Sequence, residues 1–541
     1  MLQESRESGG EKEFSIGRSL VRSAGLIGAL TLGSRVLGLA RDIGAASLFG
    51  AGPEWDAFVF AWMLPNLFRR LFGEGALSAA FVPIFSEYLV KKTREEAWRL
   101  FNVVATCLFL LLAGIAVLGI GLSFPVESIL SAHGGADLGL QFTLIRIIFP
   151  YLFLICLVAL AMGLLNSLRH FAAPALAPIV LNIFWLAGIF IVAPSFGRTP
   201  AEKVTLLAVA VLIGGFAQVA IQVPAILRKG VRLRPVLDLK HPGLKKILVL
   251  LAPLLIGLAP MQINVFFDNL IARTMGRVGA NSVLFYGNRL MQFPLALIGI
   301  ALGTAVFPIL SRYAARNEIE KVKGAASEAL RLTLFVSVPA SLGLALLARP
   351  VIRLFFEHGN FTPEAASRAA AVLVFYAAGV WIFCCLQIVV RIFYSMHDTK
   401  TPTKIAVGTM FLNLVLNLLL IGPLDAAGLA LATTVTAAVN LGALIWVFHR
   451  QAVHVWGGGM LTFGLRLLAA TGGMGAVCMV MLKLIPESAQ KAGQLLSVFV
   501  PVAASVAVFL FLTRVLGIPE LKTIVHAFFA RRKGTPGARK S

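Results

Sequence analysis

The residues of this chain that could do chemistry are charged side chains set inside long apolar runs. The run near 23–47 carries Arg35, Arg41 and Asp42, and the run near 55–88 carries Asp56, Arg69, Arg70 and Glu74. The run near 281–310 carries Arg289. A charge at membrane depth costs about 2.5–3.5 kcal/mol on insertion scales, so each of these positions needs a reason. On a helix, Ser34, Gly38 and Arg41 share one stripe, and Arg35 and Asp42, seven apart, share the stripe beside it. Gly38 leaves room next to the guanidinium. Arg41, Arg69 and Arg289 come from three different runs without enough acidic residues nearby in sequence to match them. Three arginines facing one cavity repel one another unless an anion sits among them, and the planar donor fork of arginine suits phosphate. These three therefore point to an anion site. Arg35 with Asp42, and Arg70 with Glu74 at i,i+4, also fit plain structural ion pairs.

The elements that hold these residues are read from composition. The chain of 541 residues is 58% hydrophobic and 13% charged, with a mean hydropathy of +0.87, so a bilayer is its expected solvent. Fourteen spans are predicted, near 23–47, 55–88, 100–124, 141–166, 173–194, 203–227, 246–273, 281–310, 327–348, 367–396, 403–422, 425–448, 461–482 and 494–516. Pro65, Pro83, Pro260 and Pro294 lie inside long spans and predict kinks or breaks. The net charge of +23 sits mostly in short connections on one side, whereas 48–54, 125–140 and 423–424 hold no Lys or Arg. That asymmetry is topology-setting charge rather than a nucleic-acid footprint, and it places both termini in the cytoplasm. The basic run Arg531–Lys540 is suited to anionic head groups. No cleavable signal peptide is read, since Arg35, Arg41 and Asp42 interrupt the first apolar segment. The five cysteines lie in apolar runs without a CxxC or a His cluster, as structural thiols do.

A short repeat organises the chain. Ala80-Phe81-Val82-Pro83-Ile84-Phe85-Ser86 returns 225 positions on as Ala305-Val306-Phe307-Pro308-Ile309-Leu310-Ser311, and each copy ends a long span before a basic loop. Six spans separate the copies, so their orientation is the same. The expected architecture is an all-α polytopic membrane protein of two parallel six-helix lobes plus two C-terminal helices. Its parts are a tail 1–22, an N-lobe 23–227, a linker 228–245, a C-lobe 246–450, a final helix pair 451–516 and a basic tail 517–541.

The run Ser34-Arg35-Val36-Leu37-Gly38-Leu39-Ala40-Arg41-Asp42, then Asp56-Ala57-Phe58, then Leu64-Pro65-Asn66-Leu67-Phe68-Arg69-Arg70-Leu71-Phe72-Gly73-Glu74-Gly75-Ala76, resembles the MurJ (MviN) lipid II flippases. The stretches Tyr286–Pro294, His358–Thr362 and Asp398–Pro402 carry the same likeness, which covers nearly the whole chain in order. The resemblance implies a transporter of the MOP exporter superfamily, not an enzyme, in the bacterial inner membrane. Its cargo would be lipid II, the undecaprenyl-diphosphate-linked disaccharide pentapeptide, carried to the periplasmic leaflet by alternating access. By motif position the family's cavity residues fall on Ser34, Arg35, Arg41, Asp42, Asp56, Asn66, Arg69, Ser282 and Arg289. Gln292 departs from the carboxylate that some relatives carry there. The resemblance also implies a lipid-tail groove beside the last two spans, whose apolar composition equally fits ordinary lipid-facing surface. It further suggests a cation site. Asp268, Asn413, Asn417 and Thr433 offer oxygen ligands for Na⁺, although Asn413 and Asn417 equally suit hydrogen bonds between packed helices. Membrane potential is the other energy source, worth about 2.3 kcal/mol per charge moved through 100 mV. The absence of any GxxxxGK[ST] argues against ATP hydrolysis. Lipid II and membrane lipids are the expected partners, with peptidoglycan synthesis enzymes as further candidates. The rival functions are a flippase for other polyprenyl-linked sugars, a cation-coupled exporter of the same superfamily, and a non-transporting scaffold for cell-wall enzymes.

Overall fold

The computed structural model describes residues 28–132, 138–450, 459–485 and 490–522, without the side chains of 73–75. The expected tail 1–22, the basic tail beyond residue 522 and the Glu74 carboxylate lie outside the described residues. In chain order the helices are α1 (28–49), α2 (Pro53–Phe68), α3 (Leu77–Lys91), α4 (Arg94–Ala132), α5 (Leu138–Ile148), α6 (Tyr151–Ser167), α7 (Ala172–Ala187), α8 (Ala193–Phe196), α9 (Pro200–Arg228) and α10 (Pro242–Met275). They continue as α11 (Ala280–Pro294), α12 (Ala301–Ala315), α13 (Ile319–Leu346), α14 (Ala348–Phe356), α15 (Pro363–Ser395), α16 (Lys400–Leu424), α17 (Ala426–Arg450), α18 (Met460–Leu484) and α19 (Lys491–Val515). Three π-helical stretches join consecutive helices: π1 (Arg69–Ala76), π2 (Gly188–Val192) and π3 (Leu295–Ile300).

Twelve of the helical segments are long and apolar enough to cross a membrane. The segments 28–49 and 53–91 add two more that carry charges along their length, so the described residues hold fourteen long segments, as the sequence predicts. A bilayer admits only helices and closed barrels, and continuous apolar runs of about 20 residues suit the helix, whose backbone is satisfied within the segment. Polar residues mark where segments start. Thr199 accepts from the Glu202 N–H while Glu202 bonds back to the Thr199 N–H, a capping box with Pro200 in the first turn. Thr362 caps α15 more simply, its hydroxyl accepting from the Ala365 N–H at 3.2 Å ahead of Pro363.

The prolines divide into two kinds. After Pro65 and Pro294 the helix passes into π1 and π3, whereas Pro83 and Pro260 lie inside uninterrupted α-helix. A proline frees a carbonyl and crowds the preceding turn, and a π stretch is one way for the ladder to change register around it. The two copies of the sequence repeat then follow directly, Ala80–Ser86 in α3 after π1 and Ala305–Ser311 in α12 after π3. The repeat in sequence is a repeat in backbone geometry.

Backbone packing divides the chain into two compact units, 1–269 and 270–541. In the first, an aromatic chain runs through the helices: Phe49 stacks on Trp55, Trp55 on Phe58, and Trp185 meets Phe58 and Trp62 edge-on. Tyr151 closes it against Trp62, with its hydroxyl donating to Gln218 at 2.9 Å. In the second unit, α12, α13, α15 and α17 bury Leu310, Leu330, Ile388, Ile392, Phe393, Leu444 and Phe448 together. There α18 and α19 pack on α13 through Phe335, Phe463, Leu467, Met474 and Phe509. Arg331 of α13 anchors them, bonding Glu520 at 2.6 Å and lying over the Phe463 ring. Their other faces expose Leu465, Leu468, Val480, Phe499 and Phe511, as a lipid-facing surface should.

Close approach of α9 to Tyr151 depends on Gly215, where an added Cβ would lie 2.6 Å from the ring. Tyr151 is almost fully buried and has no room to retreat. Gly215→Val should therefore destabilise the purified protein by about 1–3 kcal/mol, read as a lowered unfolding midpoint in detergent. An unchanged midpoint would mean that this contact yields freely.

Candidate functional site

Ser34, Arg41, Asp42 and Asn182 of the first unit meet where α1 faces α7. Gly44 lets α1 come against π2, since a Cβ there would lie 2.7 Å from the Phe190 ring. That approach sets Arg41, one turn earlier on α1, against α7. Arg41 is 9% exposed and Asp42 is 2% exposed. The guanidinium grips its chain neighbour twice, Nε donating to Asp42 Oδ1 at 3.0 Å and a terminal nitrogen at 2.8 Å. Its other terminal nitrogen donates to Asn182 Oδ1 at 3.3 Å. The Asn182 amide in turn donates to the Ser34 carbonyl at 3.0 Å and reaches the Ser34 hydroxyl at 3.5 Å. Trp185 completes the enclosure, with the Arg41 Cζ 4.3 Å from its ring centroid.

The sequence reading treats Arg41 as short of acidic partners and sets Asp42 on the stripe of Arg35. The structure corrects the first point: Arg41 is ion-paired with the residue that follows it. A long guanidinium can curl across the 100° between neighbouring positions, so helical stripes alone do not decide its partner. Arg35, nearer the start of α1, is exposed. The pairing does not exhaust Arg41. Of the five N–H donors of a guanidinium, three are bonded, leaving two uncommitted among the described residues.

Arg69 opens π1 and donates from Nε to Asn66 Oδ1 at 2.9 Å, one turn back on α2. Asp56, in the first turn of α2, is also buried. Ser34, Asn66 and Arg69 are half-buried. Seven of the nine predicted cargo-site residues thus lie in this unit, and bonds link Arg41 with Asp42 and, through Asn182, with Ser34, and Arg69 with Asn66.

The second unit carries the other two, Ser282 and Arg289. Ser282 is fully buried on α11, and Arg289, seven residues on, is half-buried on the same face. Gln292 donates to Asn288, one turn earlier, and Tyr286 packs between Phe356 and Phe361. Of the expected cation ligands, Asp268 is buried on α10 in the first unit. Asn413 and Asn417 are buried one turn apart on α16, with the Asn417 amide donating to Asn413 Oδ1 at 3.1 Å. Thr433 spends its hydroxyl on the Leu429 carbonyl at 3.0 Å. The bond between Asn413 and Asn417 lies within α16, one turn apart, and is not a bond between packed helices.

Sequence reasoning missed Asn182 and Trp185. Their signal was present: a lone amide inside the otherwise apolar α7, with a large aromatic three residues on, is the pattern of a polar group facing a partner helix. The π stretches also cluster near this chemistry. Arg69 begins π1, Trp185 precedes π2 by three residues, and Arg289 precedes π3 by six.

Comparison with known proteins places these features. A family model described as "Lipid II flippase MurJ" matches residues 45–503. A probable lipid II flippase MurJ of Vibrio cholerae is 36% identical over 456 residues, covering 82% of this chain and 85% of the relative. A lipid II flippase MurJ of Burkholderia cenocepacia is 34% identical over 459 residues, covering 84% and 88%. Among solved structures, a lipid II flippase MurJ in an inward closed conformation superposes with a TM-score of 0.74 at 25% identity, over 94% of this chain and 100% of that one. An inward-facing multidrug resistance MATE family transporter of the MOP superfamily shares the fold alone, with a TM-score of 0.62 at 16% identity, over 78% of this chain and 95% of that one.

Breaking a buried pair strands a charge, so Asp42→Asn alone should destabilise the protein by about 3–5 kcal/mol. The double variant Arg41→Gln, Asp42→Asn should recover much of that loss. A double-mutant cycle on unfolding midpoints measures the coupling, and additive effects would mean that the pair does not interact.

Proposed function

Because the chain belongs to the lipid II flippase MurJ family, we propose that it carries lipid II from the cytoplasmic to the periplasmic leaflet of the inner membrane by alternating access. It is a transporter, not an enzyme: the cargo crosses unchanged. Beyond membership, the observation that supports this reading is the buried cluster around Arg41. The cargo's diphosphate bears about two negative charges and loses its water on entering a low-dielectric site, so it needs donors already in place.

Arg41 offers two such donors, and Asn182 and Trp185 hold its guanidinium still. Arg69, steered by Asn66, is the second cargo-binding cation of this unit. In the proposed cycle the diphosphate competes with Asp42 for Arg41, and Asp42 takes the guanidinium back as cargo leaves. That exchange keeps Arg41 paired in both states and prevents cargo from being held too tightly to release. Arg35, Asp56 and Ser34 shape the charge and polarity around the pair. Arg289 and Ser282 are the cargo-binding candidates of the second unit. Energy comes from membrane potential or from Na⁺, for which Asp268, Asn413, Asn417 and Thr433 remain the proposed oxygen ligands. Both termini are assigned to the cytoplasm from the positive-inside asymmetry. Peptidoglycan synthesis enzymes are proposed partners at the point where cargo is consumed.

Arg41→Ala, Arg69→Ala and Arg289→Ala should each abolish growth rescue in flippase-depleted cells while the protein accumulates normally in the membrane. Full rescue by all three would remove the arginines from the transport mechanism. A scaffold would give that result and would instead fail when its loops are exchanged.

A further inference from the structure

Away from the Arg41 cluster, the end of α9 and the start of α7 flank a half-open cleft of about 260 Å³. Its floor is apolar, made by Leu176, Ile221 and Ala225, and its rim is basic, made by His170, Arg228 and Lys229. No carboxylate lines it. Arg228 is the last residue of a 29-residue membrane helix, so the floor lies at hydrocarbon depth and the rim at the boundary with water.

The rim is held by backbone, not left on a loose loop. Beyond α6, Arg169 takes φ 54° and its N–H bonds the Asn166 carbonyl, while the His170 N–H bonds the Leu165 carbonyl at 2.8 Å. This paired helix stop fixes where the imidazole emerges. On the other side, Lys229 begins an extended strap that is stitched to α4. Asn102 donates to the Arg232 carbonyl at 2.8 Å, Thr106 accepts from the Val236 N–H at 3.0 Å, and Val231 is buried. The three basic groups also sense one another: the His170 imidazole is held below its usual range, by burial first and then by the charges of Lys229 and Arg228. Two cations, Arg228 and Lys229, beside a neutral imidazole that can donate a hydrogen bond, above an apolar floor, match a ligand with a phosphate at one end and a hydrocarbon chain at the other. Basic pockets between membrane helices take anionic lipid head groups on these grounds.

We propose that this cleft binds an anionic phospholipid, with the phosphate held by Arg228, Lys229 and His170 and the start of an acyl chain lying on Leu176, Ile221 and Ala225. The proposal is independent of the cargo reading, which uses other residues.

The test is native mass spectrometry of the full-length protein titrated with phosphatidylglycerol, with phosphatidylethanolamine, and with inorganic phosphate. Phosphatidylglycerol should bind in preference, and affinity should fall about fivefold for each cation removed, hence about thirtyfold for the double variant Arg228→Ala, Lys229→Ala. Ala225→Phe fills the floor without touching charge and should weaken phosphatidylglycerol binding while leaving the rim intact. Because neither change touches the Arg41 cluster, both variants should still rescue flippase-depleted cells at least in part. Equal binding of the two lipids, or unchanged phosphatidylglycerol affinity in both variants, would overturn the site. Displacement of phosphatidylglycerol by millimolar inorganic phosphate would also overturn it, assigning a free-anion site instead. Should the double variant fail to fold, salt titration of the wild type reads the same charge dependence, and salt-insensitive binding would count against the proposal.

Discussion

A guanidinium taken out of water must regain its hydration from the protein, and the first unit is arranged around meeting that demand for Arg41. The cost of burying an ion is several kcal/mol even after relaxation. Here it is met by a carboxylate one residue away, an amide from another helix and the face of an indole. Each of these partners has a further position to keep. Asn182 must also reach the Ser34 backbone, Trp185 must sit in the aromatic chain with Phe58 and Trp62, and α1 must approach π2 closely enough for all three contacts. The packing of α1, α2 and α7 is therefore inseparable from the electrostatics of a single side chain. A site with two donors still open and one ready counter-ion is suited to an anion that must come and go.

The two units show a second regularity that function can use. In each, an early long helical segment passes from a proline through a π stretch into the repeated AFVPIFS or AVFPILS sequence. π-bulges are uncommon and gather at functional sites, because the added residue turns one face of the helix out of register. In the first unit, that register change begins at Arg69 itself. In the second it begins a turn and a half after Arg289. The same device at matching positions argues that the halves descend from one design and that the irregular backbone serves the positions of the arginines.

Much of this was legible in the residues. The fourteen spans follow from apolar length, and the described helices match them closely because apolar runs of about 20 residues satisfy their backbone in lipid as helix, barrel strands being about half as long. Arg41, Asp42 and Arg69 stood out since ionised groups inside such runs are rare. The partner of Asp42 was not legible: stripes on a helical wheel assign faces, while a guanidinium on a long flexible stem can reach the adjacent position. Asn182 and Trp185 were passed over because α7 reads as uniformly apolar, and one amide in sixteen residues gives little contrast until its neighbour is known. The π stretches were foreshadowed only as prolines. Pro65 and Pro294 look no different in sequence from Pro83 and Pro260, and the surrounding packing decides which of them changes the backbone register.

The central claim, that buried arginine holds the cargo's diphosphate, is tested most directly by the affinity of purified protein for lipid II. Wild type should be compared with the variant Arg41→Gln, Arg69→Gln after both are shown to be folded. Loss of two charge-assisted contacts of about 1.5–3 kcal/mol each predicts affinity lower by at least about a hundredfold. Equal affinity in the two proteins would show that the cargo is held by something other than these charges.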